Sequence, residues 1–341
     1  MYRMLFENKQ YIDVRSPQEF EEYSLPGAIN IPIFDDEERA LVGTAYKQQG
    51  KEKAMELGLE ILSPKLPSMY RLMRDISEGE QEVEVYCWRG GMRSGSFVSF
   101  MNMMGISCSR LPGGIRSFRK EMEKTFQREK ERKREYIVLS GGTGTGKTEI
   151  LDQLEQEGYP VISLEDLANH RGSAFGSIGL KKRSQKQFEL LLWIRVKELE
   201  DAPFFIIEGE SRRIGNIHLP DFIQNGKWYG HRIDVQLPMK EREKVLLRTY
   251  DPKLYHEEIK YAIEKIESKL TDEAKESIHQ AMQEESYDRV ASLLLEHYYD
   301  PRYDHAYAQY EKEPMLVAAA DIGEAKTEVA RFIESIQKEK V

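Results

Sequence analysis

The stretch Gly141-Gly142-Thr143-Gly144-Thr145-Gly146-Lys147-Thr148 matches the phosphate-loop pattern G-x-x-x-x-G-K-[ST]. The apolar run 136–139 before it predicts a strand, and a helix is predicted to start near Gly146. In that context the glycines let backbone N–H groups turn inward around a phosphate chain, and the lysine supplies a point charge. We therefore predict an α/β domain in which all eight residues, 141–148, bind a diphosphate or triphosphate.

Acidic residues near the ends of two predicted strands are candidates for Mg²⁺ ligands or acid–base groups. Glu208 and Glu210 follow the apolar run FFII, and Asp166 follows the run PVISL. Folds with a phosphate loop place a Mg²⁺-holding carboxylate at such a strand end. The Thr148 hydroxyl is a further candidate Mg²⁺ ligand. Because the strand ends in Glu-Gly-Glu and not in a plain Asp, a structural role for the two glutamates is an equal alternative.

A second glycine-rich loop, CWRGGMRS at 87–94, places Cys87 after a β-branched strand and before a predicted helix. Backbone N–H groups that converge at a helix N-terminus lower the pKa of a thiol, and Arg89 and Arg93 add positive charge. We predict that Cys87 is reactive, with a pKa below the ordinary value of about 8.5, and can carry sulfur or selenium as a persulfide-like adduct. Cys108 is interpreted as a packed thiol.

Strands and helices alternate through both halves of the chain, which predicts wound parallel sheets. The predicted organisation has four segments: an α/β domain at 1–118, a charged helical linker at 119–135, the phosphate-loop α/β domain at 136–240, and a helical region at 241–341 packed on it. The last segment is predicted to be mostly helical, with one of its breaks at Asp300-Pro301.

The composition is that of an ordinary soluble protein. The chain has 341 residues, 40% of them hydrophobic and 32% charged, with a net charge of −9. No apolar run approaches the roughly 18 residues of a membrane span, and the N-terminal residues lack the apolar core of a secretory signal. Two cysteines form no disulfide framework, so we expect a cytoplasmic protein with no membrane partner. The acidic total excludes indiscriminate nucleic-acid binding but leaves room for a local basic patch.

Several cationic residues are candidates for binding phosphates. Arg171 lies in the polar stretch HRGSAFG, 170–176, which is either a loop that closes over the diphosphate or a plain surface loop. The candidates for contacting a nucleic-acid backbone are Lys181, Lys182, Arg183, Arg212 and Arg213. A solvated surface is the alternative for these five. For the charged linker at 119–135 a solvated helix is the favoured interpretation, and contact of its basic face with phosphates is the alternative.

Four stretches of the N-terminal segment resemble the successive signatures of a rhodanese domain: IDVRSPQEF at 12–20, LPGAINIP at 25–32, CWRGGMRS at 87–94 and LPGGIRSF at 111–118. This resemblance implies a sulfurtransferase fold with Cys87 as the chalcogen carrier. Ser24 stands where many rhodaneses have a histidine, and no catalytic role is assigned to it.

The fusion of such a domain to a P-loop NTPase-like domain resembles the bacterial tRNA 2-selenouridine synthases. The stretches at 35–58, 170–176 and 208–220 add to this resemblance, which extends from about Asp13 to about Pro220. It implies that 2-thiouridine at the tRNA wobble position is first alkylated by geranyl diphosphate. Selenium from selenophosphate then displaces the S-geranyl group to give 2-selenouridine. The implied partners are tRNA and a selenophosphate supplier, with no tightly bound cofactor except a candidate Mg²⁺.

Two other functions fit the same motifs. The first is an ATP-dependent kinase fused to a generic thiosulfate sulfurtransferase, which the phosphate loop alone does not refute. The second is a non-catalytic, nucleotide-gated scaffold with an inert rhodanese fold. The presence of Cys87 with its arginines counts against the second.

Overall fold

A computed structural model of the chain describes residues 8–132, 134–209, 211–302 and 313–338. By their internal contacts they form two compact units, with the division at Thr125/Phe126. The segment Lys186–Glu198 belongs to the first unit although it follows the phosphate loop in sequence. This grouping differs from the predicted segment boundaries, because a sequence pattern cannot show which unit a helix packs in.

The first unit contains a four-stranded sheet in the order β2-β1-β3-β4, and all three strand pairs are parallel. Its strands are β1 Lys9–Asp13, β2 Ile29–Asn30, β3 Glu82–Tyr86 and β4 Ser109–Arg110. Its helices are α1 Pro17–Glu22, α2 Asp36–Gln48, α3 Lys51–Leu62, α4 Leu66–Ser77, α5 Met92–Met103, the start of α6 Arg116–Glu131, and nearly all of α9 Gln185–Glu198. The predicted wound parallel sheet is confirmed.

The register of the first sheet places two functional loops at one edge. Asp13 at the end of β1 pairs with Tyr86 at the end of β3. Because the strands are parallel, the segments that follow both residues leave from the same edge of the sheet. The buried core behind this edge includes Ile12, Val85 and Phe97.

The second unit contains a five-stranded parallel sheet in the order β11-β10-β5-β7-β6, with a separate antiparallel pair β8-β9. The strands are β5 Glu135–Gly141, β6 Val161–Ile162, β7 Phe204–Glu208, β8 Arg213–Ile214, β9 Ile217–His218, β10 His231–Gln236 and β11 Met315–Ala318. Helices α7 Lys147–Gln156, α8 Leu164–Ala168, α10 Asp221–Tyr229 and α15 Ile322–Lys338 accompany this sheet. β5 lies inside the sheet, so its loop 141–148 leaves from the interior of the carboxyl edge.

The region after residue 240 is mostly helical, as predicted, but β11 and α15 also complete the sheet layer. β11 pairs with β10, and Val329 of α15 packs in the same core as Ile233. Helices α11 Met239–Tyr250, α12 His256–Ile266, α13 Asp272–Gln283 and α14 Tyr287–Leu294 come before them, and a second core in this region includes Ile263 and Ile278. The short run Met315–Ala318 carries too weak a sequence pattern to be predicted as a strand.

A change of helix type lies just before the break predicted near Asp300-Pro301, and the residues after Arg302 that would test this break lie outside the described ranges. A π-helical turn at Leu295–Tyr299 follows α14, and the helix continues through Arg302, the last described residue before the gap. A proline interrupts a helix because it lacks an N–H and clashes with the carbonyl one turn earlier. The wider π turn that precedes Pro301 changes that spacing and accommodates the proline.

The predicted charged linker is a packed helix and not a free spacer. α6 begins at Arg116, and its Met122 and Thr125 side chains are buried. At its end, Arg134 and Glu129 form a buried ion pair with 2.9 Å between Nε and Oε2. No helix in the described ranges is long and apolar enough to cross a membrane.

Candidate functional site

Cys87 lies where β3 passes into α5, at the base of its loop. The residue is 3% exposed, and its Sγ atom is 3.3 Å from the Ser94 hydroxyl. The segment after β4 supports the loop from behind, since Ile115 N–H donates to the Cys87 carbonyl at 3.1 Å. Gly114 makes this approach possible: its φ is +61°, and a Cβ there would lie 2.2 Å from the Cys87 carbonyl oxygen.

The pKa of the Cys87 thiol lies below its ordinary value. Burial alone would raise this pKa, but hydrogen bonds from the Ser94 hydroxyl and from the backbone N–H groups of Ser94, Gly91 and Arg89 outweigh burial. The direction is the predicted one, and so is the contribution of the backbone N–H groups; the predicted contribution of arginine charge is absent. Hydrogen-bond donors, and not arginine charge, stabilise the thiolate. Burial raises the pKa of Cys108.

The two arginines of the loop have different surroundings. Arg93 is committed to an ion pair with Glu19, at 2.6 Å between Nη1 and Oε2. Arg89 is exposed and has no ion-pair partner in the part of the chain that the structure describes. Arg89 is therefore the loop cation that remains available to an incoming anion.

A buried ion pair that the sequence analysis did not single out holds the edge of this sheet. Arg15 Nη2 lies 2.6 Å from Asp13 Oδ2, and both side chains are almost fully buried. Arg15 also donates to the Tyr23 carbonyl, while Val14 N–H donates to the Tyr86 carbonyl next to Cys87. The signal for this pair was present in the quoted stretch IDVRSPQEF, but spacing alone does not show that the charges are buried together.

The phosphate loop has the geometry that its sequence predicts. Gly146 adopts a φ of +73° at the N-cap of α7, a left-handed conformation that favours glycine. The Lys147 ammonium donates to the carbonyl oxygens of Gly141 and Gly142 at 2.8 and 3.2 Å. The lysine thus sits over the loop, where an incoming phosphate would compete with these carbonyls for its charge.

A cleft of about 820 Å³ opens in front of this loop. Its cationic lining residues are Lys147, Arg171, Arg248 and Arg302, and its acidic ones are Glu149, Asp152, Glu165 and Asp166. A smaller apolar recess adjoins the cleft and shares Leu246, Tyr250 and Tyr299 with it. One wall of the phosphate cleft is therefore apolar, and the sequence pattern did not predict this.

The acidic candidates occupy different environments. Glu208 is fully buried, and it accepts hydrogen bonds from the Ser163 hydroxyl at 2.9 Å and the Leu164 N–H at 2.7 Å. These contacts tie β7 to the start of α8, so the observed role of Glu208 is structural. Asp166 lines the cleft, whereas Glu210 lies outside the described residues.

Glu165, which the sequence analysis missed, is the carboxylate nearest to the loop hydroxyl. Its Oε2 atom accepts a hydrogen bond from Thr148 at 3.1 Å. Nearby, burial raises the pKa of Asp152, with a further contribution from the negative charges of Asp166 and Glu149. Among the described residues, no group of three or more His, Cys, Asp or Glu side chains converges as a preformed metal centre.

The HRGSAFG segment folds over one side of the cleft and is anchored from within. His170 is buried, and its Nδ1 atom accepts a hydrogen bond from Gly172 N–H at 3.1 Å. Arg171 lines the cleft, donates to the Ile178 carbonyl at 3.0 Å and lies over the Tyr250 ring. Its guanidinium is therefore held at the boundary between the phosphate cleft and the apolar recess.

A clamp on the phosphate loop comes from distant parts of the chain. Arg242 donates through Nε to the Thr143 carbonyl at 2.9 Å, and its other nitrogens pair with the Asp300 carboxylate. Arg242 lies 99 positions from Thr143 and 58 from Asp300 in sequence, so no local pattern could have indicated these contacts.

The five nucleic-acid candidates are not equivalent. Lys181, Lys182, Arg212 and Arg213 are exposed. Arg183 instead donates to the backbone carbonyl oxygens of Asp166 and Leu167, which secures the end of α8. The first four remain predictions as phosphate contacts, and Arg183 has a visible structural role.

Each half of the chain matches the model of a known protein family. Residues 134–338 match the family model of the tRNA 2-selenouridine synthase AAA domain, and residues 1–121 match that of the rhodanese-like domain. A tRNA 2-selenouridine synthase of Nitrosomonas europaea is 41% identical over 62% of this chain and 55% of its own length. That of Pseudomonas putida F1 is 30% identical over 95% of both chains.

The match to the Nitrosomonas protein spans little more than half of that relative's length, whereas the Pseudomonas match is nearly complete. Among solved structures, a rhodanese-related protein from Thermoplasma volcanium is 23% identical, with a TM-score of 0.21. It covers 34% of this chain and 80% of its own.

Proposed function

Because this chain belongs to the tRNA 2-selenouridine synthase family, we propose that it replaces the sulfur of a wobble 2-thiouridine in tRNA with selenium. The proposed reaction requires thiolated tRNA and an enzyme that supplies selenophosphate, and we propose that it takes place in the cytoplasm. We assign two half-reactions to two sites, prenylation to the phosphate cleft and selenium exchange to the Cys87 loop.

In the first half-reaction the thiouridine sulfur attacks C1 of geranyl diphosphate. A C–S bond forms, the C–O bond to the diphosphate breaks, and the diphosphate leaves with the bonding electron pair. The loop N–H groups, Lys147 and the guanidinium of Arg171 lie where they can stabilise that developing charge. Tyr250, under the Arg171 guanidinium, begins the apolar wall.

The apolar recess beside the phosphate cleft is the observation that carries this assignment. Phe175, Leu294 and Tyr299 line it, and Tyr299 also faces the phosphate cleft. A prenyl diphosphate presents a charged head and an apolar chain. The recess itself holds only about 50 Å³, so the chain would lie mostly along the apolar wall that the recess shares with the cleft, formed by Leu246, Tyr250 and Tyr299. A nucleotide would instead present a polar ribose and a base to the same wall. The recess therefore favours geranyl diphosphate over ATP.

The oxygen atoms beside the loop fit a hard divalent cation such as Mg²⁺. Thr148 and Glu165 hold oxygens 3.1 Å apart, and Asp152, whose pKa is raised mainly by burial and further by Asp166 and Glu149, lines the same cleft. Mg²⁺ bound there would neutralise part of the charge on the diphosphate. Thr148, Glu165 and Asp152 are the residues that would hold it.

In the second half-reaction the selenium of selenophosphate attacks C2 of the modified uridine. The C–Se bond forms and the C–S bond breaks, so the geranyl thiolate leaves. Water then cleaves the P–Se bond and releases phosphate. The Cys87 loop suits this exchange because its N–H groups converge on an anionic chalcogen and Arg89 is exposed nearby. We assign the binding and orientation of selenophosphate for this attack to the loop that holds Cys87, and the step as written forms no bond between selenium and the thiol.

The test is mass spectrometry of thiolated tRNA after incubation with the protein. Geranyl diphosphate alone should add a geranyl group, and selenophosphate supplied afterwards should replace S-geranyl by selenium. A parallel reaction with ATP in place of geranyl diphosphate is the control. ATP turnover without any response to geranyl diphosphate would overturn the proposal in favour of a kinase fused to a sulfurtransferase.

A further inference from the structure

An apolar groove of about 1130 Å³ lies in the first unit beside the Cys87 loop. Helices α2 and α3 supply its oily side, including Val42, Tyr46, Met55 and Leu59. Tyr46, Met55 and Leu59 are 55%, 51% and 64% exposed. Neighbouring apolar side chains with this much exposure indicate a binding surface and not a core.

The groove reaches the turn that holds the thiol. Gly91, Met92 and Arg93 line its other side, and the next residue is Ser94. The Ser94 hydroxyl lies 3.3 Å from Cys87 Sγ. A ligand in the groove therefore ends at the first turn of α5, where the loop N–H groups converge.

The rim of the groove is cationic. Arg39, Lys47 and Arg110 line it, and Arg39 lies 3.6 Å from a carboxylate oxygen of Glu19. The one acidic lining residue, Glu56, is paired with Lys53 at 2.6 Å. In the described part of the chain, Lys47 and Arg110 have no ion-pair partner. An apolar groove with unpaired cations at its rim fits a polyanionic ligand that carries an apolar chain.

We infer that this groove binds the prenyl chain of S-geranyl-2-thiouridine tRNA during selenium exchange, with the rim cations contacting the tRNA phosphates. The inference rests on the proposed function, in which the Cys87 loop acts on a prenylated intermediate. Holding the chain in the groove directs the C–S bond toward the loop. It also gives the departing geranyl thiol an apolar place to occupy, so that the chain is not released into water.

The experiment compares two pre-alkylated tRNAs, S-geranyl and S-methyl, as substrates for selenium exchange. Their leaving thiolates are chemically alike, so a difference in KM reports binding of the chain. We expect a lower KM for S-geranyl tRNA. Leu59→Ser should raise that KM about tenfold while leaving kcat and the S-methyl reaction unchanged. The matched control is Leu72→Ser on α4, a leucine outside the groove that is 53% exposed against 64% for Leu59, and it should change the KM of neither tRNA.

Each outcome has one meaning. Equal KM values for the two tRNAs, or no effect of Leu59→Ser on the S-geranyl KM, would overturn the groove assignment alone. Failure of both tRNAs to react would overturn the proposed function. If Leu59→Ser converts a dimer into a monomer in sedimentation without changing KM, the groove is an interface between copies and the inference is wrong.

Discussion

At the level of single residues, the Cys87 thiol illustrates how a loop sets reactivity by geometry. The residue is buried, which by itself would make it inert, yet four hydrogen-bond donors lower its pKa. Arg93, which the sequence analysis expected to contribute together with Arg89 and the loop N–H groups, is paired with Glu19 instead. The donors depend on the path of the backbone, so the charge of the neighbouring side chains is a poor guide to the thiol.

We expect Ser94→Ala to raise the pKa of Cys87, because the variant loses the hydroxyl that donates to the thiolate. The rate of iodoacetamide alkylation should then reach its midpoint at a higher pH than in the parent. Arg93→Gln is the control and should move the midpoint little. A larger shift in Arg93→Gln than in Ser94→Ala would show that arginine charge dominates after all.

The two half-reactions should separate by mutation. Lys147→Ala removes a positioned charge from the leaving diphosphate and should slow geranylation on the order of 10²–10³-fold. The same variant, given pre-geranylated tRNA and selenophosphate, should still form selenouridine. Cys87→Ser should accumulate S-geranyl tRNA and make little selenouridine, as judged by mass spectrometry of the digested tRNA.

Binding of tRNA by both variants is measured first, because either change could alter docking. If Cys87→Ser abolishes geranylation while binding tRNA normally, the division of labour is wrong. Geranylation by Lys147→Ala at the parental rate would contradict it equally.

At the level of elements, the HRGSAFG segment is held by one buried histidine. Burial lowers the pKa of His170, with a further contribution from the positive charges of Lys182 and Arg171. The neutral ring accepts the Gly172 N–H, and an added Cβ on Gly176 would come within 2.9 Å of the ring. The segment is therefore ordered by a side chain that must stay unprotonated.

The folded form of this segment should become less stable as the pH falls. Since the folded pKa of His170 lies below its ordinary value of 6.5, the stabilisation is complete above that pH. It is lost as the pH falls from about 6.5 toward the folded pKa, because the unfolded segment binds the proton first. Hydrogen exchange of the 170–178 amides, corrected for intrinsic rates, should accelerate over that window. His170→Asn keeps an acceptor but does not titrate, so pH-independent protection is expected; equal pH dependence in the two proteins would contradict the mechanism.

Helix α9 shows the limit of pattern-based prediction at this scale. Its run of Phe188, Leu191, Leu192 and Trp193 predicts core packing, and all four side chains are buried. Trp193 donates to the Thr125 hydroxyl at 3.1 Å and packs against Phe118 edge-on. The sequence therefore predicts that the helix is buried, but the contacts decide that it packs with α6 in the first unit.

At the level of the whole molecule, the distribution of charge over the surface decides tRNA binding more than the total charge does. The net charge is −9, but Lys181, Lys182, Arg212 and Arg213 are exposed cations of the second unit. Phosphate contacts release counterions, so tRNA affinity should fall on the order of 10²-fold between 50 and 200 mM salt. Filter-binding titrations at several salt concentrations measure the slope of log affinity against log salt concentration directly.

Arg212→Gln should make that slope shallower by about one counterion, in keeping with the loss of one phosphate contact. The control is Arg331→Gln on α15, whose parent arginine is paired with Glu328 and is not among the phosphate candidates. An affinity that is independent of salt would contradict a phosphate-dominated footprint, and equal slopes for both variants would remove Arg212 from it.

The sequence by itself determined the two loops and the sheets behind them. The strand–loop–helix pattern at 141–148 and the strand–cysteine–helix pattern at 83–104 are local, and hydrophobic patterning together with glycine placement encodes them within a few residues. This is why the α/β fold, the phosphate loop and the lowered pKa of Cys87 could be predicted from the sequence.

Only the tertiary structure decided what surrounds those loops. The clamp of Arg242 on Thr143, the carboxylate of Glu165 beside Thr148 and the oily walls formed by Tyr250 and Leu59 join residues far apart in sequence. Such contacts depend on which helix faces meet when the helices pack on the sheets. A single sequence records the apolar and charged residues available for those faces, but not which of them come together, so the loops were predictable and their substrate-facing walls were not.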